Sequence, residues 1–169
     1  MGQASTSPLS PAELARARVI IVDDEPMVTE SLRTFLDLEL DIEAQTFNDP
    51  AEALRHIVAN EVDLVISDFL MPQMDGIRFL VEVRRQRPGV PRVLLTGYAD
   101  KQNAITAINE VKLFQYIQKP WDNEHLRTVV VKALNHLRLM RHLADRFDEV
   151  ATEREDFQGM RQLLLTAFS

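Results

Sequence analysis

The chain has 169 residues, 46% hydrophobic and 27% charged, which suffices for one ordinary core with roughly 40 to 50 residues left over. The absence of cysteine excludes disulfide scaffolds, thiolate zinc sites, iron–sulfur clusters and thiol nucleophiles. A net charge of -7, from 19 basic and 26 acidic residues, repels phosphate backbones, and no apolar run reaches the roughly 18 residues of a spanning helix. The expectation is a cytoplasmic protein that contacts neither nucleic acid nor membrane directly.

Residues 1–16, with Ser5, Ser7, Pro8, Ser10 and Pro11, predict a flexible leader ending in a short helical turn. Val19, Ile20, Ile21 and Val22 then form a continuous β-branched run stopped by Asp23-Asp24, the pattern of a strand buried on both faces of a parallel sheet. Similar runs recur at 62–67, ending at Asp68, at 93–95, ending at Thr96, and at 114–117, just before Lys119. A weaker fifth strand is predicted over 42–47. Helical spacing fills the intervals at 27–38, 50–59 (capped by Asn48 or Asp49), 77–85 and 103–111.

Five short strands alternating with helices predict right-handed β-α-β units and a doubly wound α/β sheet. The last helix starts near Asp122 or Asn123 and has no obvious stop, because residues 124–165 contain no proline and only Gly159. Leu143, Val150, Phe157 and Leu164 lie seven apart, with partial companions at Phe147, Met160 and Ala167. This heptad spacing predicts a coiled-coil or signalling helix, although Arg146, Glu153, Arg154 and Arg161 interrupt the seam.

Ligands of open parallel sheets sit outside the carboxyl ends of the strands. Here four strand ends deliver Asp23 and Asp24, Asp68, Thr96, and Lys119 to one edge. Clustered carboxylates repel one another unless a hard divalent cation such as magnesium or manganese sits among them. Such an ion also prepares a carboxylate to attack phosphorus, while a hydroxyl and an ammonium take the remaining phosphoryl oxygens. Singly, each residue could be a helix cap, a turn residue or a β-propensity choice; together they make one site.

The runs VIIVDDEP (19–26), SDFLMPQMDG (67–76), VLLTG (93–97) and YIQKPW (116–121) together resemble the receiver domain of two-component response regulators over about residues 17–138. The resemblance implies a flavodoxin-like, five-stranded parallel sheet of order 2-1-3-4-5 with an extended C-terminal helix at 139–169. Asp68 matches the phosphoacceptor, and Asp23 and Asp24 the acidic pair for magnesium, with Asp24 favoured as direct ligand and the Met71 backbone carbonyl adding an oxygen. Thr96 matches the switch hydroxyl, Tyr116 the switch aromatic, and Lys119 the phosphate-binding lysine, aimed by a cis Pro120; Gly76 fits the turn that starts the third helix. Partners implied are a histidine kinase or phosphotransfer protein, and a second copy through the C-terminal helix or the face made by the fourth receiver helix, the fifth strand and the final helix.

Two positions depart from fast-cycling receivers: Leu70, two after the acceptor, and Tyr98, two after Thr96, are often polar in the family. Neither is suited to holding a hydrolytic water, so a long-lived acyl phosphate is expected. The Lys119-Pro120-Trp121 ending resembles receivers that precede larger output modules such as cyclic-di-GMP enzymes, PP2C-type phosphatases, ATPase-type transcriptional activators or sensor domains, so the chain is expected to be part of a longer protein. The alternative is a magnesium-dependent phosphatase with an Asp nucleophile. Leu70 argues against it, because such hydrolases carry an acid/base Asp there, and a switch rather than a turnover enzyme is expected.

Overall fold

The computed structural model describes residues 7–97, 101–151 and 158–167. Five parallel strands, β1 (Val19–Val22), β2 (Gln45–Phe47), β3 (Leu64–Asp68), β4 (Arg92–Thr96) and β5 (Gln115–Gln118), form one sheet in the order β2-β1-β3-β4-β5. The sheet is doubly wound and flavodoxin-like, as the sequence implied. Helices α2 (Pro26–Leu40), α3 (Pro50–Ala59), α4 (Gly76–Gln86), α5 (Lys101–Val111) and α6 (Asn123–Ala151) alternate with or follow the strands.

The continuous apolar runs have a direct explanation in the two cores. Val19, Ile21, Ile66 and Leu95 point to one face, where they meet Leu32 and Leu36 of α2 and Leu126 and Val130 of α6. Ile20, Val22, Val65 and Leu94 point to the other, against Ile57 of α3 and Phe79, Leu80 and Val83 of α4. With apolar partners on both sides, alternation would bury polar groups without compensation, so every residue of β1 is apolar and buried.

Three expectations change. Strand β2 begins at Gln45 rather than 42, because α2 ends in a left-handed Asp41 (φ 57°) and the Ile42 amide donates to the Leu36 carbonyl at 3.1 Å. This Schellman-like ending makes the buried Ile42 the apolar plug of a helix terminus, not strand.

The described part of the leader is not loose. Ser10 and Glu13 form a reciprocal capping box around α1 (Pro11–Leu14), Leu14 is buried in the core, and the Leu9 amide donates to Asn135 Oδ1 of α6 at 2.7 Å. Residues 1–6 lie outside the described residues.

The described C-terminal residues form two helices where the sequence showed no obvious stop. α6 extends to Ala151, and a separate α7 (Gln158–Ala167) lies back along it, with Arg161 Nε 3.0 Å from Asp148 Oδ1. Leu143, Ala144 and Phe147 share a small apolar cavity with Leu164 and Leu165. Part of the heptad stripe is therefore covered within the chain, while Phe157 lies outside the described residues.

At the edge of the sheet opposite the strand carboxyl ends, Asp63 ties α6 to β3. Its carboxylate accepts from the Arg18 amide at 2.8 Å and the Arg18 Nε at 3.0 Å, and from the Arg141 guanidinium of α6 at 2.8 Å. Burial alone would raise the Asp63 pKa, but these donors outweigh it and hold the carboxyl below its usual value. The folded state thus prefers the ionised form, and its contribution is present above about pH 4 and lost as pH falls through the lower folded pKa. Asp63→Asn is expected to cost about 2 kcal/mol at neutral pH and to weaken the dependence of stability on pH below 4, read from urea melts across that range.

Candidate functional site

The site is built at the carboxyl ends of β1, β3, β4 and β5. Asp23 follows β1 directly and continues its ladder, the Asp23 amide donating to the Phe47 carbonyl at 3.1 Å. Its side chain is fully buried, with Oδ1 accepting from the Glu25 amide at 2.9 Å and Oδ2 from Lys119 Nζ at 3.0 Å. Asp24 is half-buried beside it, and Asp68 is the buried last residue of β3. One oxygen from each of Asp23, Asp24 and Asp68 lies within 4.8 Å of the others.

Lys119 Nζ also approaches Asp68 Oδ1 at 2.8 Å, so one ammonium bridges two buried carboxylates. Its own amide donates to the Thr96 carbonyl at 2.7 Å, and the Lys119–Pro120 bond is cis, as the resemblance implied. Burial opposes the charge on Lys119, yet hydrogen bonds to Asp68 and Asp23 prevail and its pKa is raised. Asp68 shifts the same way for another reason: burial first, then repulsion from Asp23, outweighs the attraction of Lys119. The site therefore carries more negative charge than one lysine neutralises. Adding positive charge would relieve it.

Thr96 Oγ1 is buried with no hydrogen-bond partner. An orphaned hydroxyl at a strand end beside an acidic cluster is unsatisfied polarity that an oxygen-rich ligand would satisfy. Three carboxylates with oxygen donors suit magnesium or manganese rather than a soft metal, so the residues present fit a hard divalent cation.

The remaining sequence-derived positions fall around this centre. Met71 follows β3, and its buried side chain anchors the loop in the core beneath α4. Leu70 is 59% exposed on the same loop. Tyr116 is half-buried on β5, paired in register with Leu94 and packed against the core on the α4 side; it does not join the charged cluster. Tyr98 lies outside the described residues.

Two supporting residues were not legible as such. Asn48, one of two cap candidates, leaves that task to Asp49, whose carboxylate accepts from the Ala51 amide; Asn48 Nδ2 instead donates to the Asp23 carbonyl at 2.8 Å and to Thr29 Oγ1 at 3.3 Å. It fixes the β1 end from the side. Gly76 does more than start a turn. A Cβ there would lie 2.0 Å from the Asp68 carbonyl oxygen and 3.1 Å from Leu94 Cδ1, so only glycine lets α4 pack directly beneath the acidic cluster.

The family pattern described as the response regulator receiver domain matches residues 19–131. The chain belongs to that family. Among curated proteins it is 36% identical over 119 residues to the hydrogenase transcriptional regulatory protein HoxA of Cupriavidus necator, covering 70% of this chain and 24% of that one. It is likewise 36% identical over 117 residues to the regulatory protein AtoC of Escherichia coli, covering 69% and 25%. The chain thus spans about a quarter of the length of these relatives.

Among solved structures, the signal receiver domain of an HD domain-containing protein from Pseudomonas fluorescens matches with TM-score 0.70 and 34% identity, over 76% of this chain and 93% of that one. A response regulator receiver domain protein from Clostridium thermocellum matches with TM-score 0.69 and 30% identity, over 73% and 98%. No helix among the described residues of this receiver is long and apolar enough to cross a membrane.

Proposed function

We propose that this receiver accepts a phosphoryl group on Asp68 from a histidine kinase or phosphotransfer protein in the cytoplasm, and relays the change to an output. The observation that carries the reading is the single ammonium of Lys119 bridging Asp23 and Asp68 beside the unpartnered hydroxyl of Thr96. An Asp68 carboxylate oxygen attacks phosphorus in line, the new O–P bond forms as the P–N bond of the donor phosphohistidine breaks, and the imidazole, already protonated on its other ring nitrogen, keeps the P–N electron pair and leaves neutral. Magnesium held by Asp23, Asp24 and Asp68, with the Met71 carbonyl as a further oxygen, would supply positive charge against the phosphoryl oxygens.

Lys119 is already within reach of the acceptor carboxylate and pairs with one phosphoryl oxygen once Asp68 is esterified. The Thr96 hydroxyl donates to another, which draws the end of β4 toward the site. Tyr116, on the neighbouring strand, then follows the space that Thr96 leaves. The output is a larger module of a longer protein or a self-association through the C-terminal helix or the α5-β5-α6 face; the names of the relatives make transcriptional control the leading candidate.

This is a switch and not a turnover enzyme. With acetyl phosphate and magnesium, uptake should plateau at one phosphoryl group per chain; sustained hydrolysis of phosphate esters would mean a phosphatase instead.

The exposed, apolar Leu70 on the rim offers no donor or acceptor to an attacking water, so the acyl phosphate is long-lived. Leu70→Asn should shorten its lifetime several-fold after the donor is removed. Decay within seconds in the unaltered protein would contradict this.

A further inference from the structure

Asp23 is tethered through every polar atom it has. Its amide donates to the Phe47 carbonyl at 3.1 Å and its carbonyl accepts from Asn48 Nδ2 at 2.8 Å, while the Glu25 amide holds Oδ1 and Lys119 Nζ holds Oδ2. Asp24 is different. Among the described residues its side chain makes no hydrogen bond or ion pair, although it is the half-buried member of the acidic cluster.

What aims Asp24 is therefore the backbone that leads to it. The carbonyl that Asn48 holds belongs to the peptide group joining Asp23 to Asp24, and a planar peptide fixed at its oxygen fixes where the next Cα stands. The carboxamide is set in its turn. Asn48 Nδ2 also donates to Thr29 Oγ1 at 3.3 Å, and the hydroxyl of the buried Thr29 donates to the Pro26 carbonyl at 3.0 Å. One side chain from the β2–α3 connection thus ties the acidic turn to the first turn of α2.

We propose that Asn48 is a positioning residue that selects the ion: by holding the Asp23–Asp24 peptide, it keeps the acidic pair rigid enough to prefer magnesium over calcium. This rests on reading Asp23, Asp24 and Asp68 as a divalent-cation site, and adds which ion that site prefers and what sets the preference. Magnesium demands near-octahedral oxygens at about 2.0–2.1 Å, whereas calcium accepts about six to eight at about 2.3–2.6 Å in flexible arrangements. Rigidity favours the smaller ion. Without Asn48 the peptide is free to turn, Asp24 is free to swing, and the released Asp23 carbonyl becomes one more oxygen in the turn, all of which suit the larger ion. Groups that orient metal ligands contribute about 10- to 100-fold to affinity, and Asn48 holds backbone rather than a ligating carboxylate, so the lower end applies.

Asn48 is exposed, so Asn48→Ala opens no cavity in the core. Unfolding midpoints measured against magnesium chloride alone and calcium chloride alone read each affinity by mass action, separately from the stability of the ion-free protein. An ion-dependent rise in the unaltered protein that is lost in Asp24→Asn checks the site itself; no rise in the unaltered protein would remove the metal reading, and the inference with it. Where that rise is present, Asn48→Ala should weaken magnesium about tenfold and calcium much less. Asn48→Asp gives the sharper contrast, because its added charge alone would tighten both ions, whereas loss of the donor should still lower the magnesium-to-calcium ratio several-fold. Thr29→Val should lower that ratio by a smaller factor, and should not lower it further when combined with Asn48→Ala. Equal weakening of both ions in Asn48→Ala, or an unchanged ratio in either Asn48 variant, would overturn the proposal, since a merely structural role moves both ions alike. A further loss of the full Thr29→Val factor in the double variant would overturn the part assigned to Thr29.

Discussion

Lys119→Ala should lose about 2 to 3 kcal/mol of stability in the absence of divalent cations and recover most of it when magnesium is added. The ammonium bridges Asp23 Oδ2 at 3.0 Å and Asp68 Oδ1 at 2.8 Å, and both carboxylates are buried. Removing one partner of a buried ion pair leaves its counterpart uncompensated, which costs about 3 to 5 kcal/mol when solvent is excluded. The lysine side chain is 23% exposed, so water can enter the space it leaves and the loss should fall below that range. Unfolding midpoints with and without magnesium read the effect directly. Because the cation replaces the missing charge, its stabilisation of the variant should exceed that of the unaltered protein; equal stabilisation of both would show that Lys119 and the cation do not share one electrostatic site.

Gly76→Ala should be the most damaging single methyl in the domain. The added Cβ would stand 2.0 Å from the backbone carbonyl oxygen of Asp68 and 2.9 Å from its carbon, contacts that no side-chain rotation relieves. Relief must come from the backbone. Either α4 shifts off the sheet, opening the packing of Phe79 and Leu80, or the end of β3 moves and takes the acceptor carboxylate with it. Overpacking of this kind costs about 1 to 3 kcal/mol where neighbours can yield, and here the neighbour is main chain, so at least about 3 kcal/mol is expected. Phosphoryl uptake should fall together with stability. A variant of unaltered stability would mean that the close approach of Gly76 to Asp68 is not maintained in solution.

Much of the fold and most of the site were legible because one physical constraint wrote both. A strand covered on both faces is apolar along most of its length, so polar residues at or just past the end of each run mark the strand end, directly at Asp23 and Thr96 and one residue beyond Ser67 and Gln118 at Asp68 and Lys119, and in an open parallel sheet those ends form one edge. Asp23, Asp68, Thr96 and Lys119 are readable for that reason. Asn48 and Gly76 are not, because an amide before a helix and a glycine after an aspartate look like an ordinary cap and turn. Their importance lies in distances to the backbones of Asp23 and Asp68 that sequence spacing does not encode.

The C-terminal extension reads as helix, but what covers its apolar stripe does not, for a different reason. A heptad stripe specifies that Leu143 and Leu164 seek apolar cover, but not whether the cover comes from the same chain or another. In the leader, the short helical turn expected at its end is α1, but serine and proline composition did not reveal the capping box and the single buried leucine that hold it to the core. The weak strand expected from residue 42 was a buried helix terminus, whose isoleucine gives the same apolar signal as a strand.

The central claim is that the Asp23–Asp24–Asp68 cluster, with Lys119 and Thr96, forms one centre for phosphoryl transfer to Asp68. Intact-mass spectrometry after incubation with acetyl phosphate and magnesium tests it most directly, with peptide mapping under conditions that preserve acyl phosphates. One added phosphoryl group located on Asp68, absent without magnesium and absent in Asp68→Ala, is the expected result. An unmodified mass in the native protein, or an adduct that persists in Asp68→Ala, would contradict the account.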